Sequence, residues 1–197
     1  MCGRYSLNLG REDLINFYEI GAEYAVSFSP VDEIYPSQMA PVIMEENGKR
    51  NLKKYKWGFN PGFTSDLLIN ARGETVDEKP TFRNSFFRQR CLIPATGFYE
   101  WKQGKKYRIR FKNKKLISLA GIFDFYPDKN GKETACFVII TGQARGRLKQ
   151  VHHRTPVILN KKQALQWINP AEKVQNLQPL LNSHPSDEKL LINPEWD

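Results

Sequence analysis

Cys2 is preceded by a single residue, Met1. Cysteine is small enough for an aminopeptidase to remove the methionine before it. That would leave a terminal residue with an α-amine and a thiol on neighbouring carbons. An α-amine titrates near about 7.7–8.0, far below a lysine, so roughly a tenth or more is neutral and nucleophilic at neutral pH. The thiol is a strong nucleophile once ionised. An aldehyde meeting such a pair forms an imine and closes to a thiazolidine. Taken alone, Met-Cys is more often an accident of the second position.

Three other stretches could serve such chemistry. In NARGETV (70–76), an extended chain puts Asn70 and Arg72 on one face and Ala71 on the other. An amide beside a guanidinium suits orienting a polar group and gripping a phosphate. A surface turn at Gly73 would account for the same residues. In IPATGFYEW (93–101), Glu100 lies between Tyr99 and Trp101. A carboxylate among rings has a raised pKa and exchanges protons near neutrality, whereas on an exposed edge strand it would not. In QVHHRTPVIL (150–159), an extended chain faces His152 and Arg154 one way and His153 the other. Histidine is a ready proton shuttle, although a lone histidine is more often structural.

Each stretch is weak alone. In order, Met1-Cys2-Gly3-Arg4-Tyr5, NARGET, FRNSFFRQRCLIPATGFYEW and HHRTP form a combination not expected by chance. With them the chain resembles the SOS response-associated peptidase (SRAP) family, whose members shield abasic sites in DNA. The resemblance implies the SRAP fold, with Cys2, Asn70, Glu100 and His152 in the catalytic positions. His152 is preferred to His153 because H-x-R-x-P then runs through Arg154 and Pro156. The resemblance also implies DNA contacts at Arg4, Trp57, Arg72, Arg83 and Arg154. Arg72 and Arg154 would neutralise phosphates, and Trp57 would stack on a base. The implied activity is a covalent crosslink from Cys2 to abasic sites in single-stranded DNA. Two positions depart from the family pattern: Glu33 stands where asparagine is usual, and Thr155 where methionine is frequent. Two other readings compete. Cys2, His152 and Glu100 could be the nucleophile, base and acid of a cysteine hydrolase or self-processing peptidase. The net charge of +9 and the basic strand at 105–112 could belong to a non-catalytic nucleic-acid binder.

The elements that must position these residues follow from pattern. The chain has 197 residues, 40% hydrophobic and 12% aromatic, enough for one domain with its own core. The motifs fill about 2–160, and a helical or looped extension runs from about 161 to 197. Three cysteines without tight spacing make no disulfide framework, which fits a reducing compartment. No metal-ligand spacing and no nucleotide-binding glycine motif is present, so no metal or cofactor is expected. The start MCGRYSLNLGREDL has no basic segment before an apolar block, and no run is long enough to span a bilayer. A cytoplasmic monomer is the default, nucleoid-associated if bacterial.

Residues 11–20 read as a short amphipathic helix. Asn47-Gly48 reads as the turn of a hairpin between a strand through Val42 and Ile43 and a basic return strand over 51–59. Tyr107, Ile109 and Phe111 alternate with Arg108, Arg110 and Lys112, a half-buried strand with one basic face. A polar turn at Asn113 should pair it with a strand over 116–123. A turn at 127–131 leads to a buried strand, ACFVIIT. KKQALQWI is a helix ended by Asn169-Pro170, and short helices or loops follow. Many short strands with few helices and no βαβ rhythm define an α+β class: a curved antiparallel sheet or open barrel.

Overall fold

The computed structural model describes residues 2–112, 115–128 and 130–195. The expected turn at Asn113, and Lys129 within the 127–131 turn, lie outside the described residues. The elements run β1 (Tyr5–Leu7), α1 (Arg11–Tyr18), β2 (Val31–Ile34), β3 (Met39–Glu46), β4 (Lys49–Trp57), β5 (Asn70–Arg72), α2 (Pro80–Arg88), β6 (Arg90–Ala95), β7 (Gly97–Lys102), β8 (Lys105–Phe111), β9 (Ile117–Pro127), β10 (Glu133–Gln143), α3 (Gly146–Lys149), β11 (Arg154–Pro156), β12 (Ile158–Leu159), α4 (Lys161–Ile168), α5 (Val174–Leu177) and β13 (Leu190–Glu195). The class is α+β, as the pattern implied.

Local chemistry explains the boundaries. Asn47 and Gly48 both take positive φ (53° and 71°), the geometry that a two-residue turn between β3 and β4 requires. Helix α4 begins at Asn160, whose side chain accepts from the Gln163 amide at 3.0 Å. The Gln163 side-chain oxygen in turn accepts from the Asn160 amide at 3.0 Å, completing a capping box. Helix α1 stops at Tyr18 because Glu19 turns left-handed (φ 55°).

Two sheets share the core. The first has the order β13-β8-β7-β1-β2. In the second, β4, β3, β6, β9 and β10 pair in sequence, and β10 also pairs with β4, so five strands close a ring. The barrel is therefore closed where an open one was expected. The β10–β4 seam is parallel, as is β5 on β10, so the sheet is not purely antiparallel. Tight passage needs glycine at 121 in β9: a Cβ there would lie 2.2 Å from Ile93 Cδ1 and 2.9 Å from the Val138 carbonyl oxygen.

Two expectations are corrected, and one helix is added. Strand β8 does not pair with β9. It pairs with β7 through the turn at Gln103-Gly104, both at positive φ, while β9 enters the barrel. The segment 80–88, to which the sequence pattern assigned nothing, is helix α2. Pro80 supplies the pre-set first turn, and Phe86 is buried. The tail holds a strand as well as short helices: β13 pairs along β8 from Leu190 opposite Phe111 to Glu195 opposite Lys106.

Trp57 is also corrected. A base can stack only on an accessible ring, and Trp57 is completely buried. Its ring packs edge-on to Tyr5 at 5.2 Å and parallel to Phe137 at 6.2 Å, and its Nε1–H donates to the Ile69 carbonyl at 2.9 Å. It is a core residue that pins the segment just before Asn70. Trp57→Ala should therefore destabilise the fold by about 3–5 kcal/mol. Chemical denaturation reads this directly; a stable variant that has lost only DNA affinity would contradict the assignment.

Candidate active site

The site forms where the two sheets meet. Cys2 enters just before β1. Glu100 comes from β7, which pairs with β1 and whose Tyr99 amide donates to the Arg4 carbonyl at 2.9 Å. Asn70 comes from β5, laid parallel on β10. His152 comes from the turn before β11, which pairs with the other side of β10 at its C-terminal end. Residues far apart in sequence thus meet because β1–β7 and β5–β10–β11 abut.

The four form two contacting pairs. The Asn70 side-chain amide donates to the Cys2 carbonyl at 3.0 Å. His152 Nδ1 lies 3.9 Å from a Glu100 oxygen. It also accepts from the Arg154 amide at 3.0 Å, which fixes its ring. The Cys2 thiol is fully buried, 3.7 Å from the Arg4 carbonyl. Asn70 Oδ1 is buried with no hydrogen-bond partner among the described residues, so an acceptor is held ready at the site.

Burial sets the protonation states. It pushes the Glu100 carboxyl up to about 7. It pushes the Cys2 thiol well above its ordinary value, and the Glu100 charge pushes it further. It holds His152 below its ordinary value, although the Arg154 carbonyl pulls the other way. Both shifts favour the neutral forms. Glu100 is a buried residue, not an exposed edge one.

Strand parity does not separate the two histidines. Residues 152 and 153 lie in a bend ahead of β11, and their rings approach to 4.3 Å at a 30° tilt. His152 is nevertheless the one beside Glu100, while His153 is exposed. On β5 the parity reading holds: Ala71 is buried and Arg72 exposed.

The expected DNA contacts divide. Arg72 and Arg83 are exposed, and neither makes an ion pair among the described residues. Arg154 is buried and already engaged. Its guanidinium bonds both Glu74 oxygens at 2.6 and 2.8 Å and the Thr141 carbonyl at 2.6 Å. A phosphate would have to displace Glu74, so Arg154 is corrected to a framework cation that ties β11 to the turn after β5. Glu74, within NARGET, was overlooked as its partner; an acid four residues from Asn70 was the available signal. Glu74→Gln should cost about 1–2 kcal/mol, since Glu74 is partly solvated but Arg154 is not. Arg154 holds the Glu74 carboxyl below its ordinary value of 4.5. The pair's stabilisation is thus present above that value and lost as acid protonates Glu74. Melting from pH 7 down to 3 should show an acid-side loss in the parent that is reduced in the variant.

Pattern reading also missed Phe63. It is 73% exposed on the segment 58–69, which leads straight into Asn70. The basic face of β8 is neutralised at its start: Lys106 pairs with Glu33 and Glu195, and Arg108 lies 3.7 Å from Glu195, while Arg110 and Lys112 stay exposed.

The closed barrel with its flanking sheet is a known architecture. A solved protein of Bacteroides thetaiotaomicron superposes with a TM-score of 0.85, at 24% identity, covering 98% of this chain and 91% of that one. One of Bordetella bronchiseptica also reaches 0.85, at 21% identity, covering 99% and 100%. These likenesses define the fold. The model of the SOS response associated peptidase (SRAP) family matches residues 1–194, and the chain belongs to that family. The abasic site processing protein YoaM of Bacillus subtilis (strain 168) is 32% identical over 200 residues, covering 95% of this chain and 88% of that one. The abasic site processing protein YedK of Escherichia coli (strain K12) is 28% identical over 177 residues, covering 85% and 79%. No helix among the described residues is long and apolar enough to cross a membrane.

Proposed function

We propose that the protein processes abasic sites in the DNA damage response by crosslinking to them in single-stranded DNA through Cys2, once Met1 is removed. The observation that carries the reading is the meeting of Cys2 with Asn70, Glu100 and His152, with Glu100 titrating near neutrality. The membership of the SRAP family and the names of its relatives agree with it.

The chemistry balances as follows. Glu100 exchanges a proton with the sugar hemiacetal and promotes opening to the aldehyde. The neutral Cys2 amine adds to the aldehyde carbon, and water leaves to give the imine. The Cys2 S–H then adds across the C=N bond: sulfur bonds to carbon, and the proton ends on nitrogen. A thiol held this firmly in its neutral form needs a base in reach, and Glu100, backed by His152, supplies it. Asn70 orients the Cys2 backbone and offers its Oδ1 to the amine or sugar. Closing the ring removes the imine, and with it the path to strand-breaking β-elimination. Arg72 and Arg83 are the exposed cations for flanking phosphates, and Phe63 is the exposed ring for stacking.

A cysteine hydrolase would need the thiolate favoured by a neighbouring cation. At Cys2 burial and a carboxylate both favour the thiol. A plain binder would leave the four-residue arrangement without use. An oligonucleotide with one abasic site should give a heat-stable adduct with the protein, and capping the aldehyde with methoxyamine should abolish it. An adduct indifferent to capping would refute the reading.

A further inference from the structure

Two residues along from Cys2, the Arg4 side chain leaves the site for the surface. It is stacked between two rings, with its guanidinium carbon 4.3 Å from the Tyr35 centroid and 4.9 Å from that of Trp101. Its Nη1 bonds Glu33 Oε2 at 2.8 Å. The same carboxylate accepts from the Tyr35 hydroxyl at 2.9 Å and pairs with Lys106 through its other oxygen. Lys106 is held in turn by Glu195 at 3.1 Å and sits over the Tyr99 ring. Arg4 and Glu33 are each only about a quarter exposed, so their bond is partly sheltered from water and salt.

A carboxylate that takes two cations and a hydroxyl occupies the seat a phosphate would take, because both anions accept the same charge-assisted bonds. We propose that Glu33 is a built-in competitor for DNA phosphate, holding Arg4 and Lys106 neutralised so that they add nothing to the affinity for the strand beside Cys2. The inference rests on the single-stranded DNA reading above. Selectivity then passes to the aldehyde: unmodified strands bind weakly and leave, while an abasic strand is captured by the covalent step.

The test is the salt dependence of non-covalent binding to an oligonucleotide without abasic sites. For a single strand, each phosphate contact steepens the logarithmic salt slope by about 0.7. Glu33→Gln should tighten binding roughly fivefold at low salt and steepen the slope by about one such contact. Arg4→Gln alone should leave the slope of the parent unchanged, and in the Glu33→Gln background it should abolish the gain. Glu46→Gln adds the same charge at the far end of the β3–β4 hairpin, where Glu46 pairs with Lys53, and should change neither quantity. An equal gain from Glu46→Gln, no gain from Glu33→Gln, or a flatter slope from Arg4→Gln alone would each overturn the proposal. The Arg4 variant keeps it falsifiable if Glu33→Gln folds poorly. A protein with this charge pattern that forms no adduct with abasic DNA would overturn only the Cys2 chemistry. A protein that binds no single strand in any form would overturn both.

Discussion

Cys2→Ala should abolish the heat-stable adduct altogether. The variant still loses Met1, because alanine is as small as cysteine in this respect, so it retains a terminal amine of ordinary pKa. It therefore still forms the imine, which borohydride would trap. Without sulfur the imine cannot close to a ring. It reverts to free aldehyde or breaks the strand by β-elimination. The expected signature is thus a change of product: less adduct after heating, more cleaved oligonucleotide, and a borohydride-dependent crosslink. The one hydrogen bond of the Cys2 side chain is the long contact to the Arg4 carbonyl, and alanine keeps the backbone carbonyl that Asn70 bonds, so the fold should tolerate the loss. A heat-stable adduct from Cys2→Ala would rule out the thiazolidine.

Glu100→Gln should slow adduct formation by about a hundredfold or more, the usual scale for a lost general acid–base. The amide keeps the shape but cannot exchange a proton. The rate should also lose the part of its pH dependence centred near 7, which is the Glu100 titration. Stability should move the other way. The folded chain holds the Glu100 proton up to about pH 7, the unfolded chain only to about 4.5. Between those values the folded state binds more protons, so stability falls as pH rises. The stabilisation is whole below 4.5 and lost above 7, by up to about 3 kcal/mol. Glu100→Gln escapes that loss. The two proteins should melt together near pH 4.5, and the variant should melt roughly 6–12 °C higher at pH 8. A variant that is slower but no more stable at pH 8 would mean that Glu100 is solvated and acts otherwise.

Activity and stability trade at this residue for a physical reason. A carboxylate useful at neutral pH must be denied water, and a carboxylate denied water destabilises the fold that buries it. The other buried polar site residues carry less of this conflict. Arg154 is compensated by Glu74 and Thr141. Asn70 bonds the Cys2 carbonyl through its amide, while its buried Oδ1 has no partner among the described residues.

The sequence made much of this legible. Alternating apolar residues marked β8, the apolar run ACFVIIT marked β10, Asn47-Gly48 marked the first hairpin, and KKQALQWI ended by Asn169-Pro170 marked α4. These signals are local, and local backbone preference decides them. Helix α2 was missed because the two phenylalanines at 86 and 87 obscure a helical period; Pro80 was its one clear marker. Strand β13 and the pairing of β8 with β7 depend on which surfaces meet in space, and spacing does not encode that.

The site divides along the same line. Cys2 and Glu100 could be picked out by what their neighbours do to their chemistry. The Arg154–Glu74 and Arg4–Glu33 pairs could not, because an arginine among aromatic and acidic residues reads alike whether it faces solvent, phosphate or a carboxylate. Trp57 shows the same limit: the family resemblance implied a stacking ring there, yet it packs in the core against Tyr5 and Phe137.

The most direct test is the intact mass of the protein before and after incubation with a single-stranded oligonucleotide carrying one abasic site. The account predicts a chain that has lost Met1. It then gains the mass of one oligonucleotide less one water, survives heating, and gains nothing from the same strand with all bases present. A chain that has lost Met1 and gains no mass, or gains it equally from the intact strand, would contradict the crosslinking role of Cys2.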